Sequence, residues 1–127
     1  MRRIVGFVTA ILLGLALGLD WGETREAPRM RAEVLLKRIV SDLPKGRGEV
    51  RLQLDTWDPG SETGEHHHSG PTMIYVLEGQ LNWIERGVPK TLQAGQAFLE
   101  PAGVRHNVKN LGEKPAKAFV VHLFPVP

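Results

Sequence analysis

The sequence predicts an all-β domain, built as an antiparallel sandwich or barrel, and three observations carry that reading. Nine prolines and fourteen glycines punctuate 127 residues, which favours many short strands joined by turns over long helices. Apolar residues alternate or run in short β-branched stretches between those turns, and no helical periodicity extends beyond about two turns. Turn signals recur roughly every ten residues, the spacing of strands in an antiparallel sandwich or barrel. Hydrophobic residues make up 42% of the chain, enough to fill the core of the one domain this length allows.

In chain order, Met1-Arg2-Arg3 precedes a charge-free run from Ile4 to Leu19 in which Thr9 is the polar interruption. A basic start, an apolar stretch of this length and small residues at Ala16 and Gly18 describe a secretory signal over 1–18. An uncleaved anchor is the alternative, although the run is short for a span of about 20 residues. Either form places the domain outside the cytoplasm, periplasmic, secreted or held at the membrane by this segment. Residues 19–30 are polar and read as a linker. The folded domain is expected over 31–127. Its first element, Glu33 to Val40, is a short helix or a strand, with Val34, Ile39 and Val40 favouring strand.

Glu49 to Trp57 alternates, with Val50, Leu52, Leu54 and Thr56 on one side and Arg51, Gln53 and Asp55 on the other, the pattern of a half-buried strand. Thr72 to Leu77 is apolar on both sides. A strand of that kind is covered on both, by the core and by a second subunit, so a homodimer is expected. Leu81 to Glu85, Thr91-Leu92, Ala97 to Glu100, Val104 to Lys109 and Ala118 to Phe124 complete the set, with Arg86 to Pro89 forming a hairpin loop. Trp57, Tyr75 and Trp83 are core or interface aromatics.

Composition excludes several functions. Cysteine is absent, so no disulfide framework, thiolate metal site or cysteine nucleophile is available. Of the 16 basic residues, Arg2 and Arg3 fall in the export segment, which contains no acid; the 14 that remain balance 14 acidic residues. That leaves no basic patch for nucleic acid, and no helix-turn-helix pattern suggests a regulator.

Chemistry concentrates in histidine. His66, His67 and His68 follow a Gly-rich turn, and on an extended strand His66 and His68 share a face while His67 points away. Two imidazoles so placed can hold one metal ion if a third ligand joins them. The other histidines are His106, behind Pro101 and Gly103, and His122 in the last strand.

These residues resemble the two sequence motifs of the cupin superfamily, small single-domain type. The first motif, glycine, His-x-His, glutamate and glycine, reads Gly60, His66, His68, Thr72 and Gly79, with threonine where glutamate is expected. The second, glycine, Pro-x-Gly, histidine and asparagine, is complete as Gly95, Pro101, Gly103, His106 and Asn110, and fifteen residues separate Gly79 from Gly95. The resemblance implies a double-sheet jelly-roll barrel with His66, His68 and His106 converging on a metal. Thr72 and His122 are then pocket-lining residues, Thr72 orienting a water or substrate oxygen. His122 has a second reading as a satisfied, partly buried histidine. Asn110 bonds backbone at a turn. Glu65 faces away from His66, and Glu78 and Glu100 read as solvated acids at strand ends.

With no carboxylate at position 72, the site resembles the three-His iron sites of cysteine dioxygenase and acetylacetone dioxygenase. The implied cofactor is a divalent transition metal, Fe2+ foremost and Mn2+, Zn2+, Ni2+ or Cu2+ as alternatives. Three functions follow: a mononuclear metal-dependent dioxygenase of a small organic molecule, a non-catalytic module that binds a small ligand or metal, and a partner-binding domain with a vestigial pocket.

Overall fold

In the computed structural model, which describes residues 29–127, every regular element is a strand. The export segment expected at 1–18 lies outside the described residues, as does the linker up to residue 28. Seven strands follow one another: β1 (Gly48–Trp57), β2 (Thr72–Glu78), β3 (Gln80–Glu85), β4 (Val88–Gln93), β5 (Ala97–Glu100), β6 (Asn107–Lys109) and β7 (Ala116–Pro125). They form two antiparallel sheets, one ordered β1-β7-β2-β5 and the other β4-β3-β6. This is the expected double-sheet jelly roll.

The core lies between the sheets. Ile74 and Val76 from β2 and Ala116, Ala118 and Val120 from β7 face Leu81 and Trp83 from β3, Leu92 from β4 and Val108 from β6. Each set keeps the two-residue period of a strand with one buried face. In β2, Thr72, Ile74 and Val76 are buried while Met73, Tyr75 and Leu77 are half-exposed on the outside. Gly79 closes the β2–β3 turn at φ 71°, and a Cβ there would meet the Pro115 carbonyl oxygen at 2.7 Å. Both facts restrict the position to glycine.

Three features differ from the sequence expectations. Val88 and Pro89 belong to β4, because the hairpin closes in the two residues Arg86 and Gly87. Residues 33–40 form neither helix nor strand. Leu36 and Val40, with Leu43 beyond them, instead line a groove with Pro71, Met73, Leu99 and Leu123 on the outside of the four-stranded sheet, while Val34, Leu35 and Ile39 are exposed.

The third concerns β1. Its alternation is as expected, but the apolar side faces out: Val50, Leu52 and Leu54 are 71%, 64% and 59% exposed. Gln53 and Asp55 are on the inner side, in step with the buried Trp57. Periodicity states which residues share a face. Here the bulky Trp57, packed in the core, selects which face turns inward. The outward residues pair in register with β7, Val50 with Leu123, Leu52 with Val121 and Leu54 with Phe119, giving a continuous apolar strip at the sheet's β1 edge.

Candidate metal centre

One end of the barrel interior is polar, and side chains from several chain segments meet there. The His66 segment is extended but belongs to no long ladder. It is held by an antiparallel bridge in which the backbones of His66 and His106 exchange two hydrogen bonds, each 2.9 Å, and by the Gly103 N–H, which donates to the His68 carbonyl at 2.8 Å. Directly opposed residues in such a pair put their side chains together, and the two rings lie 4.5 Å apart between centroids. His68 joins them, with ring centroids 4.8 Å from His66 and 5.3 Å from His106. One ligand atom from each of the three lies within 4.8 Å of the others. His67 is exposed, on the other side of the segment.

The backbone fixes how the rings present themselves. Nδ1 of His66 is 2.9 Å from the Gly64 carbonyl and Nδ1 of His106 is 2.8 Å from the Val104 carbonyl. A carbonyl oxygen can only accept, so each Nδ1 carries the proton and each Nε2 is left as the donor atom for a ligand. Trp83 stacks on His106 at 5.4 Å and backs it with core. For His66 and His106 these features match what a metal site requires of its histidines: a fixed tautomer in the neutral ring and a second partner behind it.

Glu100 does not sit where the sequence reading put it. Instead of a solvated acid at a strand end, it is 2% exposed and reaches into the histidine cluster. Oε1 lies 3.0 Å from His106 Nε2 and Oε2 lies 3.1 Å from His68 Nε2. Burial pushes its carboxyl up, but contact with His106 and His68 outweighs that and lowers it from 4.5 to about 2. His106 moves the other way: burial pulls it down, yet Glu100 and the Val104 carbonyl leave it above the ordinary imidazole range. The buried His106 Nε2 nonetheless makes no hydrogen bond. A signal for Glu100 existed in its parity. It shares the inward side of β5 with Phe98, which packs on the core.

Thr72 is fully buried, and its hydroxyl is 3.0 Å from Nδ1 of His122. That contact uses one of the hydroxyl's three hydrogen-bonding positions. His122 is 8% exposed; its ring stacks on Phe124 at 4.9 Å and lies 5.1 Å from His68. Burial, with the charge of His68 added, holds its pKa below the ordinary value. Asp55 is shifted upward by burial, partly offset by His122. A cavity of about 50 Å3 is bounded by Asp55, Trp57, His66, His68, Glu100 and His122, among others, room for one or two waters. Glu65 points to solvent and pairs with Arg105 at 3.2 Å, and Glu78 is exposed beside Lys117.

Comparison with known proteins agrees with this architecture. The Cupin domain family (Cupin_2) matches residues 53–122, more than half of the chain, and the protein belongs to that family. It is 29% identical over 92 residues to polyketide synthase CurC of Streptomyces cyaneus, covering 72% of this chain and 59% of that protein. Protein SchB of Streptomyces halstedii is 36% identical over 69 residues, 54% of this chain and 49% of the relative. The chain thus spans about half the length of these relatives. Among solved structures, TT1209 from Thermus thermophilus superposes with a TM-score of 0.54 at 31% identity, covering 67% of this chain and 82% of that one. Family membership and the histidine cluster together fit a metal-binding cupin.

Proposed function

We propose that the protein holds one divalent transition metal, Fe2+ foremost, on His66, His68 and His106, and acts with it as a dioxygenase of a small, polar organic molecule. The observation that supports this is the tautomer arrangement: two of the three rings are locked by backbone carbonyls so that bare Nε2 atoms converge. When bound, a ferrous ion supplies Lewis acidity and one-electron chemistry toward O2. The chain's own contribution is positional. Gly64 and Val104 carbonyls keep the donors aimed inward, Trp83 excludes water behind His106, and Thr72 holds the His122 ring at the cavity wall. The likeness to a polyketide synthase is in keeping with a ketone-bearing substrate of the diketone type.

A second reading, capture of a metal or small ligand without turnover, is favoured by the cavity, whose 50 Å3 leaves little room for an organic molecule beside an ion. In both readings the domain works outside the cytoplasm, on the strength of the apolar run behind Arg2 and Arg3. Its partner is a second copy, met through the apolar strip of Val50, Leu52, Leu54 and Phe119, since a strip at a sheet edge can pair with itself about a twofold axis.

Metal analysis of protein purified without a histidine tag tests the common core. Near one equivalent of a transition metal is expected, lost in His66→Ala and in His106→Ala; content unchanged in both variants refutes the three-His assignment. Oxygen uptake with a diketone, thiol or phenol after ferrous loading supports the dioxygenase, and its absence across such a panel favours capture.

A further inference from the structure

The Cα partners across the β2–β5 ladder include Thr72 opposite Glu100. Residues opposed in an antiparallel pair project to the same side of the sheet. A carboxylate from position 100 therefore enters the same space as one from position 72, where the first motif has its glutamate. The two oxygens of Glu100 already lie 3.0 and 3.1 Å from Nε2 of His106 and His68. Two ligands each about 2.1 Å from one ion, at right angles about it, are about 3.0 Å apart.

The hydrogen-bond inventory points the same way. With Nδ1–H of His106 given to the Val104 carbonyl, the neutral ring turns a lone pair, not a proton, into the cluster. That Nε2 is buried and has no hydrogen-bond partner despite the carboxylate oxygen beside it. A buried ring nitrogen and a buried carboxylate oxygen are each costly to leave unpaired. A cation shared by the two removes both costs. Thr72 is a neutral hydroxyl, a weaker ligand than a carboxylate, and it is already in contact with His122 Nδ1.

We propose that Glu100 is the fourth ligand of the metal centre, so that the carboxylate missing at Thr72 is supplied from the neighbouring strand. The site is then three histidines and one carboxylate, with the carboxylate arriving in the second motif, one residue before Pro101. The assignment rests on the metal-binding reading above and adds a charge to it: a dication on this set keeps one net positive charge instead of two. A carboxylate also shifts preference toward harder ions such as Fe2+ and Mn2+. The vacated position 72 can then carry a small residue that anchors His122 at the cavity wall.

Titration of the full-length, metal-free protein with Mn2+ alone tests this, with Glu100→Gln, Glu100→Ala and the double variant Thr72→Glu/Glu100→Ala alongside. Wild type is expected to take up one equivalent, Glu100→Gln to bind at least about 100-fold more weakly, given that even groups behind the ligands are worth 10–100-fold. The double variant is expected to recover most of the loss. The infrared difference spectrum of wild type, with minus without Mn2+, should show one carboxylate stretch shifting, a readout that needs no variant to fold. If wild type binds Mn2+ with no carboxylate shift, or Glu100→Gln binds within threefold of wild type, Glu100 is not a ligand and the three-His centre stands alone. If wild type itself binds neither Mn2+ nor any other transition metal, the metal-binding reading fails, and this inference with it.

Discussion

Replacing Asn110 by alanine removes three hydrogen bonds in one step. The side chain is completely buried. Its Nδ2 donates to the carbonyls of Trp57, at 3.0 Å, and Lys114, at 2.8 Å, while Oδ1 accepts from the Gly112 N–H at 2.9 Å. One amide thus ties the end of β1 to the turn between β6 and β7. A hydrogen bond contributes about 1 kcal/mol net, and a buried group left unpaired costs about 1–3 kcal/mol. Water can reach the partners near the exposed Lys114, whereas the carbonyl of buried Trp57 has less recourse, so the expected loss is about 3 kcal/mol. For a domain of this size each kcal/mol moves Tm by about 4–8 °C, giving a drop of about 12–24 °C. Urea unfolding followed by tryptophan fluorescence reads the change, since Trp57 and Trp83 are both in the core. Asn110→Asp separates donor from acceptor. It keeps the acceptor for Gly112 but sets an anion against two carbonyl oxygens, and should be at least as unstable as the alanine variant. A loss under about 1 kcal/mol for Asn110→Ala, or an aspartate variant near wild type, refutes the argument that the amide braces these segments.

Three further outcomes are expected. Gly70→Ala would place a Cβ 1.7 Å from the Leu123 carbonyl oxygen in β7, so the loop carrying His68 must move; overpacking of this kind costs about 1–3 kcal/mol, and metal affinity should fall with stability. A melt and a metal titration both matching wild type would show that β7 yields without cost. For the metal-free protein, the folded Glu100 carboxyl titrates near 2 against 4.5 ordinarily. Its contribution is therefore complete above about pH 4.5 and is lost as pH falls from there toward 2. Melting temperatures across that window should drop in wild type and less in Glu100→Gln; parallel curves would remove this carboxylate from the acid limb. Light scattering is expected to give twice the protomer mass for wild type and the protomer mass for Leu52→Lys, and a monomeric wild type refutes pairing through the outer strip.

The sequence by itself determined the fold class, most of the strands and the grouping of the chemistry. Glycine and proline punctuation marks where an extended chain must turn, and the two-residue period marks which side chains travel together, both local properties that a linear reading can hold. The spacing of Gly60, His66 and His68 and of Pro101, Gly103 and His106 likewise singled out the three histidines that the bridge between His66 and His106 brings together. Asn110 is legible for the same reason: it serves backbone within a few residues of itself as well as across the chain. What only the tertiary structure decided was direction and partnership. The alternation of β1 is plain, yet nothing local says that Trp57 enters the core and turns Leu52 and Leu54 outward. Residues 33–40 have the composition of a strand, but Leu36 and Val40 line a groove over a sheet surface that becomes apolar only once β2, β5 and β7 are side by side. Glu100 is the sharpest case. Read along the chain it is an acid before a proline, and only the β2–β5 register sets it opposite Thr72 and against His68 and His106. Strand register is fixed by pairing between segments far apart in sequence, so a carboxylate absent from one motif and present across the ladder is visible only in three dimensions.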